Sequence, residues 1–590
     1  MADLSQSEER KSQSGHSNTV EMGDATKSSG DKNGNISHEY LEYEPSGWFE
    51  TTLSRVGSST DTFFKKNDRS IHVVFYFILH GVLFGYFLGC LYYHITYIYE
   101  PLELCSGFGS LTAVYTIIYF FLFYFYVVKR FFGEWFETHV WNKVERTWQT
   151  FWQYAWFRWL LSTVILATII VLLVVDTLGA SERLISLLGL TIIMGLGFVF
   201  SKHPGRVNWR SVLSGLLLQF IFGLMFIRWP AGRHALQCFS DMVATFLGYG
   251  VEGAEFAFGE LLVRKEGVFA FSTLPVIFFF SMLVEVLFFW GALQWFCLKL
   301  GQLLRTATDT TVCESVIAVG NVFLGMTESV LLIKPYIYLL TPSELHVVMS
   351  SGFATVSGTI LASYIGFGAE PAHLVTASIM SAPAAICYAK LLLPETRRSL
   401  NSVDNIQPVV VQDQSALSAA TRGATNGIAL ILNIIANIVA FVAFIAFVNG
   451  VLGYMGGLLG EPGFSLEWLM GKIFIPLCWV MGVPWEECEL VGTLIGLKTI
   501  VNEFVAYQRM GEMKAQGLLS PRAELIATYS LCGFTNPGSA GIMIGAIAAM
   551  APNQRETLSS IAVRAFFAGC GICFMTACIA GLLMPDGAFG

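Results

Sequence analysis

The chain has 590 residues, 54% of them hydrophobic and only 13% charged, with a mean hydropathy of +0.59. Soluble domains carry about a quarter charged residues, so this composition excludes an ordinary soluble enzyme and describes an all-α polytopic membrane protein. The formal net charge of −8, with no basic patch interleaved with aromatics, argues against a nucleic-acid partner.

Residues 1–70 are polar, Ser/Gly/Asn/Lys-rich and too poor in aliphatics to bury a core. They predict a disordered cytosolic tail, with no cleavable signal peptide ahead of the first apolar stretch. A spanning helix needs about 20 apolar residues. On that rule eleven spans fall near 71–97, 107–128, 158–176, 184–200, 209–228, 268–292, 344–367, 371–393, 426–450, 521–549 and 557–584. The domain plan is three additional N-terminal helices (71–183), scaffold helices (184–308), a first re-entrant hairpin with a broken helix (309–394), a cytosolic linker with a scaffold helix (395–485), and a second hairpin, broken helix and last span (486–590). The hairpins, about 309–340 and 486–511, are too polar and interrupted to span simply, and the amphipathic stretch 235–247 suits the membrane surface.

Orientation follows from Lys and Arg in the loops. Lys65, Lys66 and Arg69 precede the first span, Lys129, Arg130, Lys143 and Arg146 follow the second, Lys202, Arg206 and Arg210 follow the fourth, and Arg397 and Arg398 open the linker. All fall on one side, which places the N-terminus in the cytosol and the C-terminus outside. The sequon at Asn35 then lies in the cytosolic tail, unused. Most of the twelve cysteines, among them Cys90, Cys238, Cys297, Cys387, Cys573 and Cys578, lie in apolar stretches and read as free thiols packed as small hydrophobes. Cys570 and Cys573 form a CxxC without a second pair or His cluster, which favours helix packing over zinc or redox chemistry.

Two passages of the second half resemble each other. One reads ESVIAVGNVFLGMTESVLLIKPYI and then SELHVVMSSGFATVSGTI; the other reads CELVGTLIGLKTIVNEFVAYQRM and then AELIATYSLCGFTNPGSAGI. Each has an apolar run, a tip with Asn and Glu, a return run, and a helix opening Glu-Leu. Gly-Phe and a Gly/Ser/Thr-rich break follow, Gly352-Phe353 in one and Gly533-Phe534 in the other. Paired interrupted helices in opposed halves point to the midplane site of a secondary transporter. The alternative is polar residues that merely join helices.

These motifs, with VNEFVAY and the closing CFMTACIAGLL, resemble the concentrative nucleoside transporter family over about residues 184–584. The resemblance implies a homotrimer with an inverted-repeat transport core, moving nucleoside with sodium or, in some members, protons. Residue by residue, it implies that Met326, Thr327, Glu328 and Ile360 surround the base, that Glu503, Asn536 and Ser539 bond the ribose, and that Phe534 packs beside it. It implies a sodium site from the Asn321 and Thr355 side chains and the Leu324 and Val356 carbonyls; hard cations prefer such oxygens. Gly325, Met326, Thr359 and Ile360 resemble the purine-preferring members. Pro537, where the family usually has Phe or Ile, removes a donor beside Asn536 and puts the ribose geometry in question. Val330 and Lys334 also depart from the common Pro and Arg.

Glu285 departs as well; it reads as a proton-sensitive carboxylate or as a Glu facing polar neighbours in the core or trimer, the latter favoured. His80 and His94 suit packing near helix ends better than a proton relay. The function this supports is sodium-driven import of nucleosides, purine nucleosides and uridine favoured, across the plasma membrane, with no cofactor beyond the coupling ion. Proton-coupled or broad-specificity symport is the near alternative. A non-transporting sensor or a membrane enzyme is the alternative of another class, though no HExxH, GxSxG or phosphate-binding Gly loop accompanies the carboxylates.

Overall fold

Inside a bilayer every backbone polar group must find its partner within the protein, so the apolar runs fold as helices and non-helical backbone is confined to protein-lined places. The structure, a computed structural model, describes residues 73–98, 107–132, 182–399, 415–460 and 463–584 continuously, with isolated positions elsewhere. Within the predicted tail, Ser28–Gly30 and Ile36–His38 pair as antiparallel strands, where composition suggested only disorder. Apart from Trp48, the rest of that tail, including Asn35 of the sequon, and the linker 400–414 lie outside the described residues, as does the predicted span 158–176 apart from isolated helical positions.

Two units divide the chain. The first comprises Met1–Glu103 and Gly107–Ala113 and holds α1 (Val73–Ile98). There the His94 ring stacks on Phe108 at 5.3 Å, a packing role. The second unit takes in most of α2 (Gly107–Phe123) and all that follows: α3 (Arg183–Val199), α4 (Trp209–Gly223), α5 (Pro230–Phe258), α6 (Val276–Phe289), α7 (Ala292–Thr308) and α8 (Val312–Phe323). It continues with α9 (Pro342–Ala354), α10 (Gly358–Gly366), α11 (Pro371–Leu392), α12 (Ala416–Leu458), α13 (Leu466–Met481), α14 (Cys488–Ile500), α15 (Glu503–Ala515), α16 (Pro521–Leu531), α17 (Pro537–Met550) and α18 (Arg555–Leu583). Among the described residues six helical stretches are long and apolar enough to cross a membrane: Val73–Ile98, Trp209–Arg228, Phe269–Phe289, Pro371–Leu392, Ala416–Leu458 and Pro552–Leu583.

From α7 onward the chain runs twice through the same series. A short helix (α7, then α13) precedes a hairpin (α8 and its return, then α14–α15). A helix broken in the middle (α9–α10, then α16–α17) and a long buried helix (α11, then α18) complete each series. Glycine lets the first two members approach. A Cβ on Gly301 of α7 would lie 2.8 Å from Val316 Cα, and one on Gly492 of α14 would lie 2.7 Å from the Gly471 carbonyl of α13. The predicted spans omit α7 and α13. Each is under 18 residues and carries Lys or Arg with Gln or Glu, such as Lys299 and Arg305 or Glu467 and Lys472.

One further expectation is overturned, the free thiol at Cys238, and the scaffold helix is extended. The amphipathic stretch 235–247 is part of the 29-residue α5, and Cys238 on it is not a free thiol but is bonded to Cys105. Composition could not reveal that pairing across 133 residues. The scaffold helix predicted at 426–450 is the 43-residue α12, about 64 Å long at 1.5 Å per residue, twice what a perpendicular crossing needs. It lies against α6, where a Cβ on Gly423 would meet the Ser281 carbonyl at 2.5 Å. Glu285 finds its partners at this seam: Arg422 Nη2 donates at 2.8 Å and Asn426 Nδ2 at 3.1 Å. That matches the reading of a carboxylate facing polar neighbours.

Candidate functional site

The two hairpin tips and the two helix breaks build the site. Helix α8 opens on a capping box, in which Glu314 Oε2 accepts from the Thr311 amide at 3.0 Å. It stops at Phe323, and Leu324 turns extended (φ −107°, ψ 161°). At the tip, Glu328 folds back and accepts from its own chain's Gly325 amide at 2.5 Å. A Cβ there would stand 2.2 Å from Glu328 Oε2, so any other residue makes that carboxylate swing away.

Asn321, deep in α8, accepts from Ser329 Oγ at 2.6 Å and donates to Ser351 Oγ of α9 at 2.9 Å. Thr355, extended just past the end of α9, donates its hydroxyl to the Ser351 carbonyl at 2.8 Å. Ser351 therefore joins the two side chains of the implied cation site. The Leu324 and Val356 carbonyls of that site belong to backbone just beyond helix ends, where i→i+4 bonding lapses. All four residues are almost wholly buried. The oxygens fit a hard monovalent cation carried as cargo.

The second tip uses the same residue types differently. Asn502 caps α15 by accepting from the Val505 amide at 3.0 Å. Glu503 reaches out of its hairpin, and Asn536 Nδ2, at the second break, donates to it at 2.7 Å. Asn536 Oδ1 in turn accepts from the Ser539 amide at 2.8 Å and caps α17. Pro537 is the first residue of that helix, where a missing N–H costs nothing. The proline therefore removes no donor that this helix uses.

The breaks meet each other. Gly533 (φ +150°) has no room for a side chain, because a Cβ would lie 2.5 Å from the Phe353 carbonyl of the first break. Gly352 faces Met326, whose Cβ would be 3.0 Å from an added methyl.

One cavity brings these parts together. Gly325, Met326, Thr327, Glu328 and Ile360 line it from the first series, and Glu503, Phe534, Asn536 and Ser539 from the second. Thr359 lies in α10 with its side chain outside the described residues. Asn321, Leu324, Thr355 and Val356 are not in the wall but lie behind it. The sequence reading misses Ser357, Asn502, Phe504 and Gly538, and it misses a whole wall given by α12: Leu430, Ile434, Asn437 and Phe441. Their spacing of three or four residues marks one helical face. A lone Asn in that apolar face was the available signal.

A cavity lined from two broken-helix series, with a few polar groups in a mostly apolar wall, is the arrangement of a secondary transporter. Sequence profiles agree on the kind: "Na+ dependent nucleoside transporter N-terminus" matches residues 188–261, "Nucleoside recognition" 270–371, and "Na+ dependent nucleoside transporter C-terminus" 373–581. The chain belongs to the sodium-dependent nucleoside transporter family, whose members compared below are transporters and not enzymes.

Solute carrier family 28 member 3 of Eptatretus stoutii is 38% identical, covering 92% of this chain and 79% of that protein. Its human counterpart is 41% identical, covering 72% of this chain and 64% of that protein, just under two thirds. Sodium/nucleoside cotransporter 2 of Rattus norvegicus is 39% identical over 71% and 66%. The structure of CNTnw in an inward-facing substrate-bound state is 36% identical, with TM-score 0.65 over 68% of this chain and 98% of that one. A double variant of CNTnw in an outward-facing state gives 35% and 0.66 over the same shares.

Proposed function

We propose that this chain imports nucleosides across the plasma membrane, driven by the sodium gradient, and favours purine nucleosides together with uridine. The observation that carries this reading is the convergence on one cavity of residues from both series, with Glu503 and Asn536 already paired at 2.7 Å. A carboxylate accepts two hydroxyl hydrogens at once, which suits the vicinal diol of ribose. The Asn536 amide adds donors and an acceptor beside it. On the opposite wall, Met326 and Ile360 offer a polarisable thioether and an aliphatic surface to the base, and a larger ring gains more dispersion contact there. Behind that wall, Asn321, Thr355 and the Leu324 and Val356 carbonyls take the sodium ion. Ordering the backbone around Ser351 then links cation binding to the shape of the base slot.

In the membrane, the series run in opposed directions, the N-terminus is cytosolic and the C-terminus extracellular, and three copies assemble, each with its own cavity. The basic residues flanking the spans support that orientation. The test is uptake of labelled adenosine, uridine and thymidine by cells expressing the chain, with sodium or with choline replacing it. The expected result is sodium-dependent accumulation of intact adenosine above thymidine. Accumulation that follows a proton gradient instead would assign a proton-coupled symporter, and binding without accumulation a sensor.

A further inference from the structure

Helix α12 belongs to neither series, yet it forms one wall of the cavity through Leu430, Ile434, Asn437 and Phe441. Three of these are apolar; Asn437 is the single polar side chain that α12 places there. The other amides and carboxylates in the wall are committed within the protein. Glu328 accepts from the Gly325 amide, Asn502 from the Val505 amide, and Glu503 and Asn536 bond each other. Asn437 is half-buried, and its side chain makes no hydrogen bond to any described residue. An Asn at membrane depth often joins helices, but this one joins no other described helix. An unmade amide in an apolar wall is costly, and a ligand in the cavity can satisfy it.

The position along α12 indicates which part of a ligand it meets. Phe441, one turn further on, reaches Gly538: a Cβ there would lie 4.0 Å from Phe441 Cε2. Gly538 stands between Asn536 and Ser539, on the wall given by the second series. Toward its other end, Gly427 abuts Phe278 of α6. Four residues of helix are about 6 Å and ten are about 15 Å, so Asn437 is nearer the Glu503–Asn536 side than the α6 seam.

We propose that Asn437 binds a sugar hydroxyl of the nucleoside from the α12 wall, a contact that rests on the nucleoside reading above. An amide can both donate to and accept from a hydroxyl. The test compares wild type with Asn437→Leu, which keeps volume and removes both functions, using adenosine, uridine and the 2′-, 3′- and 5′-deoxy forms of adenosine. In Asn437→Leu, KM rises about three- to tenfold, as one hydrogen bond allows. The rise is equal for adenosine and uridine, while the sodium half-saturation stays in place. Of the three deoxy analogues, the one lacking the hydroxyl read by Asn437 shows the same KM in both proteins.

An unchanged KM overturns the proposal. So does a changed adenosine-to-uridine ratio, which would put the amide on the base. Should Asn437→Leu not reach the surface, Asn437→Ser replaces it with the same expectations. A wild type that accumulates no nucleoside would instead overturn the function proposed above, and the two failures are thereby distinct.

Discussion

The two hairpin tips contain the same kinds of residue and use them oppositely. At the first tip, Glu328 turns inward onto the Gly325 amide and Asn321 braces Ser329 and Ser351, so its polar groups stabilise their own series. At the second tip, Asn502 caps its helix while Glu503 reaches outward to Asn536 at the neighbouring break. One tip is a folded-back loop with the proposed cation site behind it, and the other reaches a carboxylate across to the neighbouring break. Duplicated architecture therefore does not imply duplicated chemistry. The reach of each Glu depends on what stands three residues before it or across the cavity.

The largest effect should come from the outward carboxylate. Glu503→Gln keeps shape but loses charge-assisted acceptance, which costs about 1.5–3 kcal/mol of binding, so KM for adenosine should rise by one to two orders of magnitude at normal surface expression. Near-normal affinity would mean that the second tip does not hold the substrate. Next comes the folded-back tip. Gly325→Ala puts a methyl 2.2 Å from the Glu328 carboxylate, and relieving such overpacking costs about 1–3 kcal/mol. Uptake should fall for every nucleoside alike, and an active alanine variant would show that the Glu328–Gly325 bond is dispensable.

Met326→Gln probes selectivity rather than affinity. It restores donor and acceptor groups to the base wall, worth about 1–1.5 kcal/mol, and should narrow or reverse the adenosine-to-thymidine ratio. An untouched ratio would move base selection elsewhere. The smallest change is Thr355→Val, which deletes one oxygen of the proposed cation site at constant volume. Sodium dependence should shift to higher concentration by several-fold, about 1 kcal/mol, before maximal uptake changes. If the sodium curve holds still, the contrast between a cation-bearing first series and a sugar-bearing second one is wrong.

Much of the site was legible without coordinates because its residues interrupt apolar runs, and an interruption is a local signal. Asn321, Glu328, Glu503 and Asn536 stand out for that reason, and the Gly-Phe pairs mark where the broken helices stop. Helices α7 and α13 were not legible, since 17 and 16 residues with charges resemble loop-flanking segments until a neighbour is packed on them. The α12 wall was hidden for the opposite reason: Leu430, Ile434 and Phe441 look like any lipid-facing residues of a long apolar helix.

By itself, the amino-acid sequence determined that this is a membrane protein, where its polar tips fall, and which residue types each tip holds, because composition, run length and breakers act within a few residues of chain. The tertiary structure decided what those residues do together. It brought Glu328 and Glu503, 175 positions apart (503 − 328), to one cavity. It gave Glu503 an amide partner and Glu328 a backbone partner in its own hairpin, joined Cys105 to Cys238, and placed Pro537 where no donor is needed. Each of these depends on which helices lie side by side, and that is set by glycine-permitted contacts and buried surface summed over the whole fold rather than by any one stretch of chain.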